Sequence, residues 1–240
     1  MRERFQRVED GNIVGIEVDV NAFAYSNVYP WLLSIFIKFD VSQEDEMRYE
    51  EFLEIKESLI ISLEHDEVAK YVGSRMVDGW YELYFYAQES KNLNTQVAHM
   101  LTSTQYVYET SVVRDAKWDF HYKNLLPNEL ELCHIESEKI IAQLQEEGDT
   151  LDVPRVVEHY VSFELPTQKN RFLNTLALED FSVKDEIATD EFEYGVALSR
   201  EHCVTSSTLR EVVSALFVEI KKAQGYYEGW STTLVVGDDV

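Results

Sequence analysis

The sequence predicts an α+β protein of two domains, each a four-stranded antiparallel sheet carrying two helices on one face. Three observations carry this expectation. Hydrophobic period switches between the strand value of 2 and the helix value of 3.6 along the chain. The switches fall in the same order, strand, helix, strand, strand, helix, strand, in both halves. No Pro-rich or Gly/Ser-rich stretch separates the halves, so they are expected to pack together. With 45% apolar and 12% aromatic residues, the 240-residue chain can fill a core for one large domain or two small ones.

Residues 3–8 and 13–20 read as strands, and the loop NAFAYSNVYP leads to WLLSIFIKF, a buried strand by its β-branched and aromatic content. Ser42 and Asp45 stand at capping-box spacing before a helix with Phe52, Ile55, Leu59 and Leu63 on one face and charges expected on the other. EVAKYVGSRM reads as a strand, Asp78-Gly79 as a tight turn, and WYELYFYA as the returning strand of a hairpin. There Tyr81, Leu83 and Phe85 alternate with Glu82, Tyr84 and Tyr86. Leu93, Val97 and Met100 mark a shorter helix, and QYVYETSVV a further strand. The segment 115–127 reads as a bridge, and the helix HIESEKIIAQLQEE ends at Gly148.

The boundary is therefore expected near residue 131, giving domains 1–130 and 131–240. Beyond it RVVEHYVSF reads as a strand, and 166–177 as a helix facing inward through Phe172, Leu173 and Leu176. FSVKDE and EFEYGVALS read as strands. Thr208 and Glu211 form a second capping box, Leu209, Val212, Leu216 and Ile220 an apolar stripe, Gly225 a stop, and residues 226–235 a last strand. Both halves thus read β-α-β-β-α-β, the ferredoxin-like split βαβ arrangement, with shared order and no evident sequence repeat.

Charge narrows the function classes. Forty-five acidic against 21 basic residues give a net charge of -24, shared by both halves, which repels phosphate backbones and anionic lipid. Direct nucleic-acid and membrane binding are disfavoured; a basic protein partner fits. Tyr81, Tyr84, Tyr86, Tyr106 and Tyr108 form a row like an RNA-stacking platform, but without the accompanying Lys and Arg it reads as sheet core. Two cysteines, no apolar segment long enough to span a bilayer and no leader pattern imply a cytoplasmic protein.

Catalytic motifs are absent: there is no phosphate-binding glycine loop and no G-x-S-x-G elbow, so neither an enzyme nor a bound cofactor is expected. The pairs Cys133-His134 and His202-Cys203 hold zinc-type ligands without zinc-type spacing, and no metal site is assigned. Acidic clusters such as Glu44-Asp45-Glu46 read as solvated helix faces. His65, His99, His121 and His159 show no partner pattern, and His159 falls on a sheet face.

Near the C-terminus, GYYEGWSTTLV resembles the G-x-Y-D-G-W signature of the ribonuclease E regulator B family, with Glu228 where that family usually has Asp. IIAQLQEEGDTLDVPRVVEHYVSF is similar to that family's opening helix, turn and first strand, so the resemblance covers about residues 132–236. It implies a ferredoxin-like fold and a non-catalytic bacterial regulator that binds an endoribonuclease scaffold and slows RNA processing. Tyr227, Glu228, Gly229 and Trp230 are the residues it carries over as binding candidates. Residues 1–130, with WLLSIFIKF, DGWYELYFYA and DAKWDFHYKNLLP, resemble an uncharacterised bacterial domain of unknown function often fused to that regulator. The alternative reading is a small-molecule-binding protein or enzyme using a cleft between the domains.

Overall fold

The computed structural model describes residues 2–40, 46–175, 180–188 and 194–236. Its chain divides into two compact units, Met1–Pro127 and Asn128–Val240. Both are α+β, and every strand pairing in them is antiparallel.

The first unit runs β1 (Arg2–Glu9), β2 (Asn12–Asp19), β3 (Trp31–Lys38), α1 (Glu46–Glu64), β4 (Ala69–Val77), β5 (Trp80–Ala87), α2 (Leu93–Leu101) and β6 (Tyr108–Arg114). Its sheet has six strands in the order β1-β2-β4-β5-β3-β6, where four were expected. The two N-terminal strands form a hairpin whose β2 pairs with β4 from Gly15 opposite Met76 to Val18 opposite Gly73. An open edge of β4 offers unpaired backbone groups, and β2 supplies their partners. The β4–β5 hairpin closes on Asp78 and Gly79, both at positive φ (51° and 73°), as a two-residue turn requires.

One face of this sheet packs Leu33, Ile35, Ile37, Leu83 and Phe85 against Phe52, Leu59 and Leu63 of α1 and Leu93, Val97 and Leu101 of α2. Phe39 stacks on Phe52 with ring centroids 4.1 Å apart. The capping pair Ser42 and Asp45 lies outside the described residues. One charge expected on the solvent side of α1 is buried instead: Lys56 is 7% exposed, on the same stripe as Phe52 and Leu59.

The segment 115–127, expected as a bridge, folds over the opposite sheet face. Tyr84 and Tyr86 point to that face and need cover for their ring bodies. Trp118, fully buried, stacks on Tyr86 at 3.8 Å and donates from Nε1 to the Tyr29 carbonyl at 2.8 Å. The Tyr86 hydroxyl donates to Asp115, and Arg7 donates to the carbonyls of Asn124 and Leu126. Tyr81, Tyr84 and Tyr86 are thus divided between two faces and buried on both.

The second unit runs α3 (Glu129–Glu146), β7 (Arg155–Phe163), α4 (Pro166–Thr175), β8 (Ser182–Ile187), β9 (Tyr194–His202), α5 (Ser206–Lys222) and β10 (Tyr226–Thr232), with strand order β10-β7-β9-β8. α3 starts earlier than the periodicity of HIESEKIIAQLQEE indicates. Asn128 and Glu131 form a reciprocal capping box there, Oδ1 accepting from the Glu131 N–H and the Glu131 carboxylate from the Asn128 N–H. At its other end Gly148, at φ 82°, donates to the Gln145 carbonyl and Asp149 to that of Leu144, a complete Schellman closure.

Two expectations about α5 need correction. Its cap is Thr205, whose side chain accepts from the Thr208 N–H, so the Thr208–Glu211 pair lies inside the helix. At the far end Gln224, not Gly225, takes the left-handed conformation (φ 64°). Gly225 is required for another reason: a Cβ there would lie 2.4 Å from the Phe163 ring and 2.9 Å from the Ser162 carbonyl oxygen. Phe172 of α4 is buried and Leu173 packs beside it; Leu176 and residues 191–193 lie outside the described residues. Among the described residues no helix is long and apolar enough to cross a membrane.

Candidate functional site

The motif residues at the C-terminal end owe their placement to a bulge. Tyr227 pairs with Val161, and Gly229 pairs with Tyr160, leaving Glu228 as the extra residue of β10. Gly229 sits at φ 126°, where a side chain would be strained. Because of the extra residue, Tyr227 and Trp230, three apart, lie opposite Val161 and His159, which share the inward face of β7. A regular strand would send one of them outward.

Trp230 is 5% exposed and packs with Ile141, Val157, Val204 and Leu209. Its Nε1 donates to Ser137 Oγ at 3.1 Å, and that hydroxyl donates to the Cys133 carbonyl at 2.8 Å. Between α3 and β10 runs a groove of about 170 Å³. Leu132, Cys133, Glu136, Ser137 and Ile140 line one side, and Tyr227, Glu228, Gly229 and Trp230 the other. The space is smaller than the roughly 300–1,000 Å³ of small-molecule pockets. It has room for one or two side chains. Glu136 and Glu228 supply negative charge, and the Ser162 hydroxyl donates to Glu228.

Behind the groove lies a directed hydrogen-bond chain. His202 Nδ1 faces the Cys203 carbonyl at 2.7 Å and must carry the proton, which makes its Nε2 an acceptor. His159 Nε2 therefore donates to His202 Nε2 at 3.1 Å, and its Nδ1 accepts from the Tyr227 hydroxyl at 2.9 Å. Both imidazoles are neutral. Burial holds both below the usual histidine value, His159 at about 3, with His202 and Arg200 further opposing positive charge at His159. Burial likewise raises the Tyr227 hydroxyl and pushes the Cys133 thiol up to about 11.

Comparison with known families follows the same division. The family described as Regulator of ribonuclease activity B matches residues 134–232, from α3 to the end of β10. The Family of unknown function (DUF695) matches residues 4–126, half of the chain. The chain belongs to the DUF695 family. Its second unit carries the regulator match, so both resemblances stated from the sequence hold. A crystal structure of an unknown protein from Galdieria sulphuraria aligns at 10% identity over 86% of this chain and 98% of that chain, with a TM-score of 0.21. No curated protein matches the chain.

In this DUF695 chain the two soft-ligand pairs do not meet. His134, on α3, lies 3.2 Å from Ser214 Oγ; His202 turns to His159; the Cys203 thiol donates to the Asp152 carbonyl. Among the described residues no group of three or more His, Cys, Asp or Glu could hold a metal ion. Sequence reading missed His159 and Ser137 as supports of the motif. The signal for His159 was present: in RVVEHYVSF it occupies an inward position between Val157 and Val161, where an unpaired imidazole would be costly.

Proposed function

We propose that this DUF695 chain is a non-catalytic, cytoplasmic regulator that binds a protein partner, an RNA-processing endoribonuclease or its scaffold, through the α3–β10 groove. One observation carries the reading: the four residues shared with the regulator signature, Tyr227, Glu228, Gly229 and Trp230, all line that groove. A net charge of -24, with Glu136 and Glu228 at the groove, suits a basic segment and disfavours direct RNA binding. Non-catalytic action is supported by the state of the nearby groups. The Cys133 thiol and Tyr227 hydroxyl are raised, and both His159 nitrogens are occupied, so none is a ready nucleophile or base. The order β10-β7-β9-β8, and β4-β5-β3-β6 within the first unit, supports a ferredoxin-like body in each.

Titrating the chain into an endoribonuclease that carries its scaffold segment tests the reading. We expect a saturable complex by calorimetry and slower RNA cleavage. Leu132, 45% exposed at the groove, is the probe: Leu132→Asp should weaken the complex at least roughly tenfold, as for an interface anchor, without lowering the melting temperature. No complex and unchanged cleavage would overturn the assignment.

A further inference from the structure

We propose that the first unit binds a small oxyanion, the carboxylate or phosphate group of a low-molecular-weight ligand, in the cleft between α1 and the β1–β2 hairpin. The cleft arises because the sheet is wider than its helical layer. β1 and β2 project beyond α1, so the flank of α1 bearing Leu53 and Lys56 faces Arg2, Arg4 and Glu17 on the hairpin. The space measures about 410 Å³ and is open to solvent.

A buried polar cluster forms its floor. Glu17 Oε1 accepts from Lys56 Nζ at 3.2 Å and from the Tyr71 hydroxyl at 3.0 Å. Its Oε2 accepts from Arg4 Nε at 2.9 Å, with Nη2 at 2.8 Å. Lys56 also donates to the Tyr81 hydroxyl at 2.8 Å, which lies 3.2 Å from Ser74 Oγ. Above them the Arg2 guanidinium lies over the Tyr71 ring, 4.7 Å from its centroid. Glu17, Lys56, Tyr71, Ser74 and Tyr81 are all at most 9% exposed.

The backbone is shaped to assemble this cluster. β4 bulges between Tyr71 and Gly73, which brings Tyr71 and Ser74, three apart, to the helix-facing side. A Cβ at Gly73, where φ is 158°, would lie 2.4 Å from the Glu17 carbonyl oxygen. Stability alone gives no reason for the arrangement. Lys56 occupies a position where a Leu or Met would pack, and replacing a buried ion pair as a whole by apolar residues is often neutral or stabilising. Buried charge at the floor of an open cleft is the setting in which functional sites concentrate.

Charge selects the ligand. Arg2, Arg4 and Lys56 face one buried carboxylate, Glu17, and guanidinium forks match the planar or tetrahedral oxygens of carboxylate and phosphate. Glu54 and Glu57 also line the cleft, exposed on α1 as Arg2 and Arg4 are on β1, so the oxyanion is assigned to the hairpin side, against the two guanidinium groups. Burial pushes the Glu17 carboxyl up, yet Lys56, Tyr71 and Arg4 outweigh it and hold the group below the usual carboxylate range. Glu17 therefore stays charged with its oxygens already engaged, and offers no vacant ligand to a cation. The overall charge of -24 turns away polyanions and leaves small ligands.

The test is a titration of the full chain with inorganic phosphate and, separately, succinate, at constant ionic strength against chloride, read by the Arg Nε–H signals in 15N NMR. We expect Arg4 Nε–H to shift saturably, with a Kd on the order of 1 mM or tighter for a few charge-assisted hydrogen bonds. A response to phosphate alone assigns a phosphate ligand, and to succinate alone a carboxylate ligand. Arg2→Gln changes an exposed side chain, leaves the Arg4 reporter in place, and should weaken the response at least about tenfold while the fold persists. Lys56→Met leaves Glu17 buried without its lysine, so it should lower the melting temperature while the chain stays folded in the cold, and weaken binding at least about tenfold. No saturable shift with either anion, or wild-type binding by Lys56→Met, would overturn the site and leave a structural ion-pair network only.

Discussion

Truncating Trp230 to alanine separates a structural from a contact role for the regulator motif. The ring is 5% exposed and fills space among Ile141, Val157, Val204 and Leu209, while its Nε1–H bonds Ser137. Removing a buried Trp or Phe costs about 3–5 kcal/mol. The lower end applies here for two reasons. Ser137 keeps its bond to the Cys133 carbonyl, so no hydroxyl is orphaned, and the vacated space adjoins the groove and admits water. At about 4–8 °C per kcal/mol for a domain of this size, the second unit should melt on the order of 15 °C earlier.

The assay exploits tryptophan placement. Trp31, Trp80 and Trp118 all lie in the first unit, so fluorescence of the Trp230→Ala protein reports that unit alone. Hydrogen exchange by mass spectrometry on peptides from β7, β10 and α5 reports the second. We expect the fluorescence midpoint to stay and protection in β10 to collapse. Unchanged protection in β10 would refute the packing argument and leave Trp230 as a partner anchor.

Acid should destabilise the second unit well before its carboxylates titrate. His159 is held near 3 in the fold but titrates near 6.5 unfolded, so protons taken up by the unfolded chain lower stability as pH falls through 6.5. Between pH 6.5 and 5 this amounts to about 2 kcal/mol from His159 alone, with His202 adding in the same direction. Urea midpoints at pH 7.5, 6 and 5 measure it, and a flat profile argues against a neutral chain. Gly225→Ala should cost about 3 kcal/mol or more, because its Cβ meets the Phe163 ring and a carbonyl oxygen; calorimetry showing wild-type melting would contradict that close approach. Trp118→Ala should cost about 3–5 kcal/mol in the first unit only, seen as loss of protection in β3 and β5 with β7 and β9 unaffected.

Local signals were legible and distant ones were not. The Asp78-Gly79 turn and the stripe of α5 depend on residues within a few positions, and both read directly from the chain. The pairing of β2 with β4 depends on an open edge some sixty residues away, which periodicity does not register. Gly225 shows the limit clearly: it was read as the helix stop, yet its smallness serves Phe163, far earlier in sequence, while Gln224 makes the turn. Lys56 was absorbed into the charged face of α1, because only Glu17 and Tyr81 on the sheet reveal that it points inward. The groove motif was found through resemblance, but its partner His159 depends on His202 across the sheet.

Both candidate sites arise by the same two departures from a plain βαββαβ body. First, each unit carries an element outside that pattern. The β1–β2 hairpin widens the first sheet beyond α1, and α3 lies along β10 in the second unit, so each addition opens a cleft against the body. Second, each cleft is floored through a one-residue bulge with glycine at its second position, Gly73 in β4 and Gly229 in β10. The bulge turns two side chains three apart to one face, Tyr71 with Ser74 and Tyr227 with Trp230. Each pair then holds a buried polar contact: Tyr71 to Glu17, and Trp230 to Ser137. A regular ladder would keep the hydrogen bonds and lose the juxtaposition, so the glycines serve site geometry more than turn formation.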